Sequence, residues 1–311
     1  MSSLKNIPIF ITGAGGVIGS QLTKKLIELK ADVSIGLRNP EKNNYLNPEV
    51  LKQVKVFPLD ILNTKQIKET FDKVKPRKVF HLAGIISRTR DLSALKSTYE
   101  TNVTGTLNLI ESLKDGNCDC FMQFGTAGEY GNGNVPYSEE STLKPNTPYA
   151  YSKACASMQG SLLSDTYNFP IVSTKLFSVY GAQCSLSFVA DLINAAKQCK
   201  TFQMTHGGQT RDFIYIDDVI EAIVKLSTKK AAVGEIFNIC TGTETSLRNF
   251  ALEFVNQLKN PIEIEFSGKE VPKNEILRNL GDPTKIKRLL NWSPSFNLKQ
   301  GIKDMIQNLD L

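Results

Sequence analysis

The stretch Ile7-Pro-Ile-Phe-Ile-Thr12-Gly13-Ala-Gly-Gly16-Val-Ile-Gly19 decides the fold. Ile7–Thr12 is a short apolar run closed by glycines, the pattern of a buried strand. From Gly16 to Leu29 the period changes, and Ile18, Leu22, Leu26 and Leu29 fall on one helical stripe. The turn between them reads G-x-x-G-x-x-G. Glycine suits it because the chain must take a positive φ and bring its backbone close to a pyrophosphate. The helix that follows offers unpaired N–H groups and a partial positive charge to that anion. Without a strand before it and a helix after it, the same spacing would be an ordinary flexible turn. Both flanks are present, so Gly13, Gly16 and Gly19, with Val17 and Ile18 between them, are expected to hold a dinucleotide.

Downstream, short apolar runs at Val33–Leu37, Val54–Phe57, Val79–Leu82, Phe121–Phe124 and Ile171–Phe177 read as further strands. Helical patterns at Lys65–Lys73, Tyr99–Leu113 and Pro148–Tyr167 lie among them. Alternation of this kind implies right-handed crossovers and a parallel sheet covered on both faces. The expected fold class is α/β: a doubly wound parallel sheet of the Rossmann type with a smaller α/β substrate-binding lobe. Gly125–Thr147 is rich in Gly, Asn, Ser and Pro and reads as a long functional loop. Beyond Gly181 the elements become shorter and more mixed. Residues 1–177 with about 213–240 are expected to form the dinucleotide-binding domain, and about 178–212 with 241–311 the substrate lobe.

Composition narrows the function classes. The chain has 311 residues with Lys+Arg 37 against Asp+Glu 31, a net charge of +6. The surplus is scattered, which argues against a nucleic-acid arm and suits solubility and anionic ligands. Cysteines 118, 120, 155, 184, 199 and 240 and histidines 81 and 206 lack zinc spacing and lack a disulfide framework. No metal site is expected, and reduced thiols suit a cytoplasmic protein. The opening residues do not read as a signal peptide, and no apolar run approaches the ~18 residues of a membrane span.

The end of the second strand should report the cofactor. An NAD site places an acid there, ~20 residues beyond the glycines, to bind the ribose hydroxyls. The residues present are Ile35-Gly-Leu37-Arg38-Asn39, with no carboxylate at the tip, and Asp32 comes too early. Arg38 could pair with a 2′-phosphate, which places NADP(H) ahead of NAD(H), although a solvated loop cation is the plainer reading.

Tyr149-Ala-Tyr-Ser-Lys153 puts Tyr149 and Lys153 on one face of a helix, a turn apart. A tyrosine of pKa ~10 is a poor base near neutrality. A cation ~4 Å away at an effective dielectric of ~20 is worth ~4 kcal/mol, or about three pKa units. Lys153 is therefore expected to bring Tyr149 into range for proton exchange. Tyr151 has only Cys155 at the same offset. Thr126, at the C-terminal edge of the fifth strand, points to the crevice where ligands of such sheets bind.

With these features in order, the chain resembles the extended short-chain dehydrogenase/reductase family, in its sugar-nucleotide epimerase/dehydratase/reductase branch. The likeness runs over essentially the whole length. It includes Gly13/Gly16/Gly19, Asp60, His81-Leu-Ala-Gly84, Asn102-Val-Thr-Gly, Thr126…Tyr130-Gly131, Tyr149…Lys153 and Leu176-Phe177-Ser178-Val-Tyr-Gly181. It continues through Gln209-Thr-Arg211-Asp-Phe, Phe237-Asn-Ile, Asp282-Pro-Thr-Lys285 and Trp292-Ser-Pro294.

The resemblance implies that Asp60 contacts the adenine, with Ile61 beside it, and that Leu82, Ala83 and Gly84 line the cofactor together with Asn102. It implies that Lys153 also holds the nicotinamide ribose and that Phe177 sits near the nicotinamide. Ser178, where this branch usually has Asn, and Arg211 would face the nucleotide diphosphate, Arg211 as its clamp. A surface pair with Asp212 is the bland alternative for Arg211. Ser87 and Arg88 are placed toward the sugar, and Lys273 lies near the position of a second diphosphate-binding Arg. His81 reads as a packed core histidine, and His206 receives no role.

Relatives that remove water carry Asp-Glu directly after the catalytic Thr. This chain has Ala127-Gly128, with Glu129 displaced around the turn, which disfavours dehydration. The leading expectation is NADPH-dependent reduction of the 4-keto group of a nucleotide-linked 4-keto-6-deoxy sugar, with Thr126, Tyr149 and Lys153 as catalytic residues. The alternative is an NAD-dependent sugar-nucleotide 4-epimerase with the same three residues. A silent dinucleotide-binding regulator would have little use for them. The expected partners are a nucleotide-diphosphate sugar and a second copy of the chain, docked through the helices at 99–113 and 148–167.

Overall fold

The computed structural model describes residues 4–42, 45–184, 187–273, 275–309 and 311. The chain forms two compact units. The first comprises Met1–Glu129, Pro145–Lys175 and Ile220–Phe237, and the second Tyr130–Lys144, Leu176–Val219 and Asn238–Leu311. The central sheet has seven strands. Six of them are β1 (Pro8–Thr12), β2 (Asp32–Leu37), β3 (Lys55–Pro58), β4 (Lys78–His81), β5 (Cys120–Thr126) and β6 (Ile171–Leu176). Their order is Ile236–Ile239, β6, β5, β4, β1, β2, β3. Parallel registers such as Ile11 against Ile35 and Phe80 against Met122 run through its middle.

The order reverses between β1 and β4, the place where parallel sheets of this kind open a ligand crevice. Phe10 on β1 meets the edge of Phe71 at 5.2 Å between ring centroids. Around that pair Leu59, Ile67, Val79, Leu109 and Phe121 close one face of the sheet. Helix α1 (Val17–Glu28) turns Leu22 and Leu26 inward, both fully buried. The Pro148–Tyr167 helix is started by the Thr147 side chain, which accepts the Ala150 N–H at 3.1 Å, with Pro148 in the first turn.

The expected Tyr99–Leu113 helix differs in detail. A helix covers Ser93–Tyr99, a wider π-type turn covers Glu100–Thr104, and the helix resumes at Gly105–Glu111. Gly105 lies against Ile61, whose side chain would meet an added Cβ at 2.7 Å. That close approach explains the small residue in the middle of an otherwise regular element.

The second unit is built on Thr210–Tyr215, which pairs with Ser178–Tyr180, Glu244–Ser246 and Arg278–Asn279. Phe250 packs on Phe213 at 4.4 Å and on Tyr180 at 5.4 Å between centroids. The division between units differs from the expected boundaries chiefly in 130–144 and 213–219, and by two or three residues at 176–177 and 238–240, all of which belong to the second unit. For the first segment the cause is Tyr137. It stacks on Tyr130 at 4.8 Å, its backbone exchanges hydrogen bonds with Leu280 and Asp282, and its hydroxyl donates to the Gly131 carbonyl. The stretch expected as loop is thus pinned by a buried aromatic, and Ala127–Tyr130 within it forms a 3₁₀ turn.

Candidate active site

The glycine turn has the shape its spacing implies. Gly13 takes φ +70°, and a Cβ there would stand 2.5 Å from the backbone at Leu82 and Ala83. A Cβ on Gly19 would run into the Gly13 carbonyl oxygen. Gly16, the N-cap of α1, is exposed, has no side-chain cap, and no acidic residue occupies the first turn. Val17 and Ile18 follow it, half-buried. The free helix terminus and the bare glycine surface fit a pyrophosphate.

At the tip of β2, Arg38 is exposed and has no hydrogen bond or ion pair among the described residues. Asp32, at the opposite end of β2, is paired with Lys55 at 2.8 Å. The five residues between Asp32 and the tip span roughly 16 Å at the usual rise, so it cannot serve a ribose there. Asp60 is half-buried just after β3 and accepts the Leu62 N–H at 2.9 Å. Ile61 turns its side chain into the core, and its carbonyl accepts from Asn108.

Leu82, Ala83 and Gly84 follow β4 outside any regular element. The π-type turn brings Asn102 to them: its Oδ1 accepts the Ile85 N–H at 2.8 Å, and its Nδ2 donates to the Ile85 carbonyl and to Ser152 Oγ. A Cβ on Gly84 would stand 2.7 Å from Asn102 Oδ1 and 3.5 Å from Lys153 Nζ. Ser87 lies in the loop beyond, where its Oγ accepts the Thr89 N–H.

His81 is the packed histidine the sequence suggests. Its Nδ1 lies 2.8 Å from Thr12 Oγ1 and its Nε2 2.8 Å from Thr106 Oγ1. Burial, with the nearby Lys153 charge, lowers its pKa from 6.5 to about 3. The folded protein therefore holds it neutral where the unfolded chain would protonate it. Its contribution to stability is intact above pH 6.5 and declines as the pH falls toward 3. The decline is about 1.4 kcal/mol per pH unit. His81→Gln should flatten that slope in urea midpoints measured against pH. A slope equal to the parent's would show that acid acts elsewhere.

Thr126 ends β5, Tyr149 stands in the first turn of the Pro148–Tyr167 helix, and Lys153 lies one turn on. All three belong to the first unit and are half-buried. Thr126 Oγ1 accepts the Gly128 N–H at 3.3 Å, which leaves its own proton free to be donated. Lys153 Nζ donates to the Phe124 carbonyl at 2.8 Å.

The expected lowering of the Tyr149 pKa is corrected here. Burial first, and then the charge of Glu129, push Tyr149 above the ordinary tyrosine value. Burial lowers Lys153 from 10.5 to about 8, opposed by Glu129. The (i, i+4) spacing gives the shared face, but the ammonium is directed at Phe124.

Glu129 is the residue the sequence reading missed. Its side chain folds back beneath the turn, fully buried, and accepts the Thr126 N–H at 2.8 Å. Lys175 on β6 lies 3.3 Å from its other oxygen.

In the second unit, Phe177 is buried near Tyr130, 6.4 Å between centroids. Ser178 opens a short strand in register with Phe213. Arg211 donates to the Thr210 and Ile276 carbonyls and pairs with Glu275 at 2.5 Å. Asp212 is not its partner. Asp212 is fully buried and accepts from Thr241 and Gly242 instead, so the ion pair expected as the bland alternative for Arg211 forms with Glu275 and not with Asp212. Asn279 sits opposite Arg211 in parallel register, and its buried Oδ1 has no hydrogen bond. Lys273 is exposed. No metal-holding cluster exists among the described residues, and no helix among them is long and apolar enough to cross a membrane.

Residues 9–240 match the NAD dependent epimerase/dehydratase family. The chain belongs to that family. It is an enzyme of the extended short-chain dehydrogenase/reductase type with a Rossmann-like fold. The dTDP-D-glucose 4,6-dehydratase of Homo sapiens is 30% identical over 96% of this chain and 89% of its own length. A UDP-glucose 4-epimerase of Mycolicibacterium smegmatis is 26% identical over 96% of each. The crystal structure of UDP-glucuronic acid 4-epimerase from Bacillus cereus, in complex with UDP-glucuronic acid and NAD, is 26% identical. It covers 97% of this chain and 98% of that one, with a TM-score of 0.86. This member of the epimerase/dehydratase family has an alanine and a glycine, Ala127 and Gly128, directly after Thr126.

Proposed function

We propose that the chain is an NADPH-dependent reductase of the 4-keto group of a nucleotide-linked 4-keto-6-deoxy sugar. The observation that carries this reading is the β2 tip, where Arg38 stands exposed and, among the described residues, unpaired, and the strand end Ile35-Gly-Leu37-Arg38-Asn39 has no carboxylate for the ribose. The first unit would bind the dinucleotide through Gly13–Gly19, Arg38, Asp60 and Leu82–Gly84. The second would take the nucleotide diphosphate at Arg211, with Asn279 beside it in register.

A bound nicotinamide supplies the hydride. Tyr149 would give its proton to the sugar O4, Thr126 would donate a hydrogen bond to the same oxygen, and Lys153 would hold the ribose. A Tyr149 pKa raised by burial keeps the proton on the phenol at neutral pH, which suits an acid in a reduction. Ala127 and Gly128 offer no second acid and base, so dehydration of the sugar is not proposed.

Turnover of a nucleotide-linked 4-keto-6-deoxy sugar should favour NADPH over NADH. Arg38→Ala should raise the KM for NADPH by about tenfold or more, because a charge-assisted hydrogen bond is worth about 1.5–3 kcal/mol. NADH should be unaffected. The second reading, an NAD-dependent 4-epimerase, is favoured by the epimerases among the relatives. NAD⁺ retained through purification, with interconversion of 4-epimers in the absence of added cofactor, would establish it in place of reduction.

A homodimer belongs to the same proposal. Tyr151, Met158 and Leu162 form one exposed stripe on the Pro148–Tyr167 helix, and Tyr99 is exposed on the helix beside it. An apolar stripe of this kind on a long helix fits burial against a second copy.

A further inference from the structure

We propose that Glu129 is a positioning residue: its carboxylate, buried with Lys175 beneath the end of β5, fixes the Thr126 N–H two residues on from the Phe124 carbonyl that holds Lys153, and from that place it governs how readily Lys153 and Tyr149 give up their protons. The proposal rests on the reading of those two residues as the proton-handling pair.

The geometry begins at the end of β5. Oε1 of Glu129 accepts the Thr126 N–H at 2.8 Å, so the carboxylate is bonded to the residue whose hydroxyl would meet the sugar oxygen. Gly125 makes this possible, because a Cβ there would collide with Oε1. Oε2 is fully buried and makes no hydrogen bond, and its nearest charge is Lys175 Nζ at 3.3 Å. The two side chains are 0% and 2% exposed. Taking both ions out of water is costly, and a neutral pair of similar shape would hold the turn at least as well. An amide could also accept the Thr126 N–H. The turn itself therefore gives no reason for charge, whereas the neighbouring pair does.

The other titratable groups around that pair cannot supply such a charge. From β4, His81 is neutral. Lys96, Tyr99 and Glu100, on the elements packed against the Pro148–Tyr167 helix, are exposed. Among the causes that move Lys153 and Tyr149, Glu129 follows burial in both, and it favours the protonated form of each. Loss of its charge should let both give up their protons more readily. For Lys153 that means becoming neutral below its present value of about 8.

The test uses the ligand-free full chain labelled with [ε-¹³C]lysine, the Lys153 signal being assigned through Lys153→Met. In Glu129→Gln the midpoint of the Lys153 titration should fall by about half a pH unit or more. Because Glu129→Gln leaves Lys175 buried opposite an amide, the double variant Glu129→Gln/Lys175→Met is measured beside it. It should show a shift of the same sign with a higher melting temperature than the single variant. A folded variant whose Lys153 titrates as in the parent overturns the proposal. Failure of both variants to fold also overturns it, by assigning the pair to the stability of the sheet. Since the readout needs no turnover, it is separate from the loss of activity expected of Tyr149→Phe, which tests the underlying reading.

Discussion

Tyr149→Phe is expected to remove nearly all turnover while leaving the fold and the dinucleotide affinity in place. The substitution deletes one oxygen from a half-buried ring in the first turn of the Pro148–Tyr167 helix. No hydrogen bond that starts that helix passes through the phenol. Thr147 caps it, and Ser152 Oγ donates to the carbonyl of Tyr149 while accepting from Asn102. What is lost is the proton donor. Thr126 can polarise a carbonyl oxygen, but a hydroxyl of that kind does not release a proton near neutrality. Lys153 gives one of its three N–H donors to the Phe124 carbonyl and would hold the ribose with the others, so it is not placed as the acid at the sugar oxygen.

A positioned acid contributes about 10²- to 10⁴-fold, so kcat should fall by that factor with little change in the KM for the cofactor. Raising the pH should not restore it. A variant within about threefold of the parent would show that the proton comes from elsewhere.

The features legible in the sequence are those governed by local spacing. Three glycines at fixed intervals between a strand and a helix specify a backbone shape, and the chain forms it with Gly13 at φ +70°. The four-residue offset of Tyr149 and Lys153 specifies a shared helical face, and both lie in the Pro148–Tyr167 helix. The missing acid after β2 is equally local, because a strand end is a definite place.

Features that depend on distant contacts were not legible. Glu129 reads as displaced from the site because the Gly- and Asn-rich composition after Thr126 is that of an open loop. A 3₁₀ turn instead carries it back under the backbone three residues earlier, to meet Lys175 on another strand. The direction of Lys153 is set by a carbonyl 29 residues away, and the Arg211 partner lies 64 residues away. Neither separation leaves a periodic mark. The π-type turn at Glu100–Thr104 escaped for a related reason. Asn102 is drawn to Ile85 and Ser152, and that pull widens a segment whose own apolar spacing reads as continuous helix.

The glycine turn allows folding and binding to be separated by two substitutions of one methyl group each. Gly13→Ala should unfold the protein readily. A left-handed backbone costs an alanine about 1–2 kcal/mol. In addition, the new Cβ would stand 2.5 Å from the Leu82 and Ala83 backbone, atoms that cannot move without shifting the end of β4. Strain against rigid backbone adds to the first cost, so a loss of several kcal/mol is expected, seen as a large drop in melting temperature.

Gly16→Ala adds the same methyl where the nearest atom outside the flanking residues is the Gly13 carbonyl oxygen at 3.3 Å, at an exposed position. The melting temperature of the ligand-free chain should stay near the parent's. The methyl would instead occupy the surface across which a pyrophosphate approaches the first turn of α1, holding the anion away from the helix N–H groups. A weakening of dinucleotide binding by about tenfold or more, read by calorimetry, is expected from the loss of a single charge-assisted contact. If Gly16→Ala binds as the parent does, the pyrophosphate does not rest on this turn, and the dinucleotide assignment of Gly13–Gly19 falls with it.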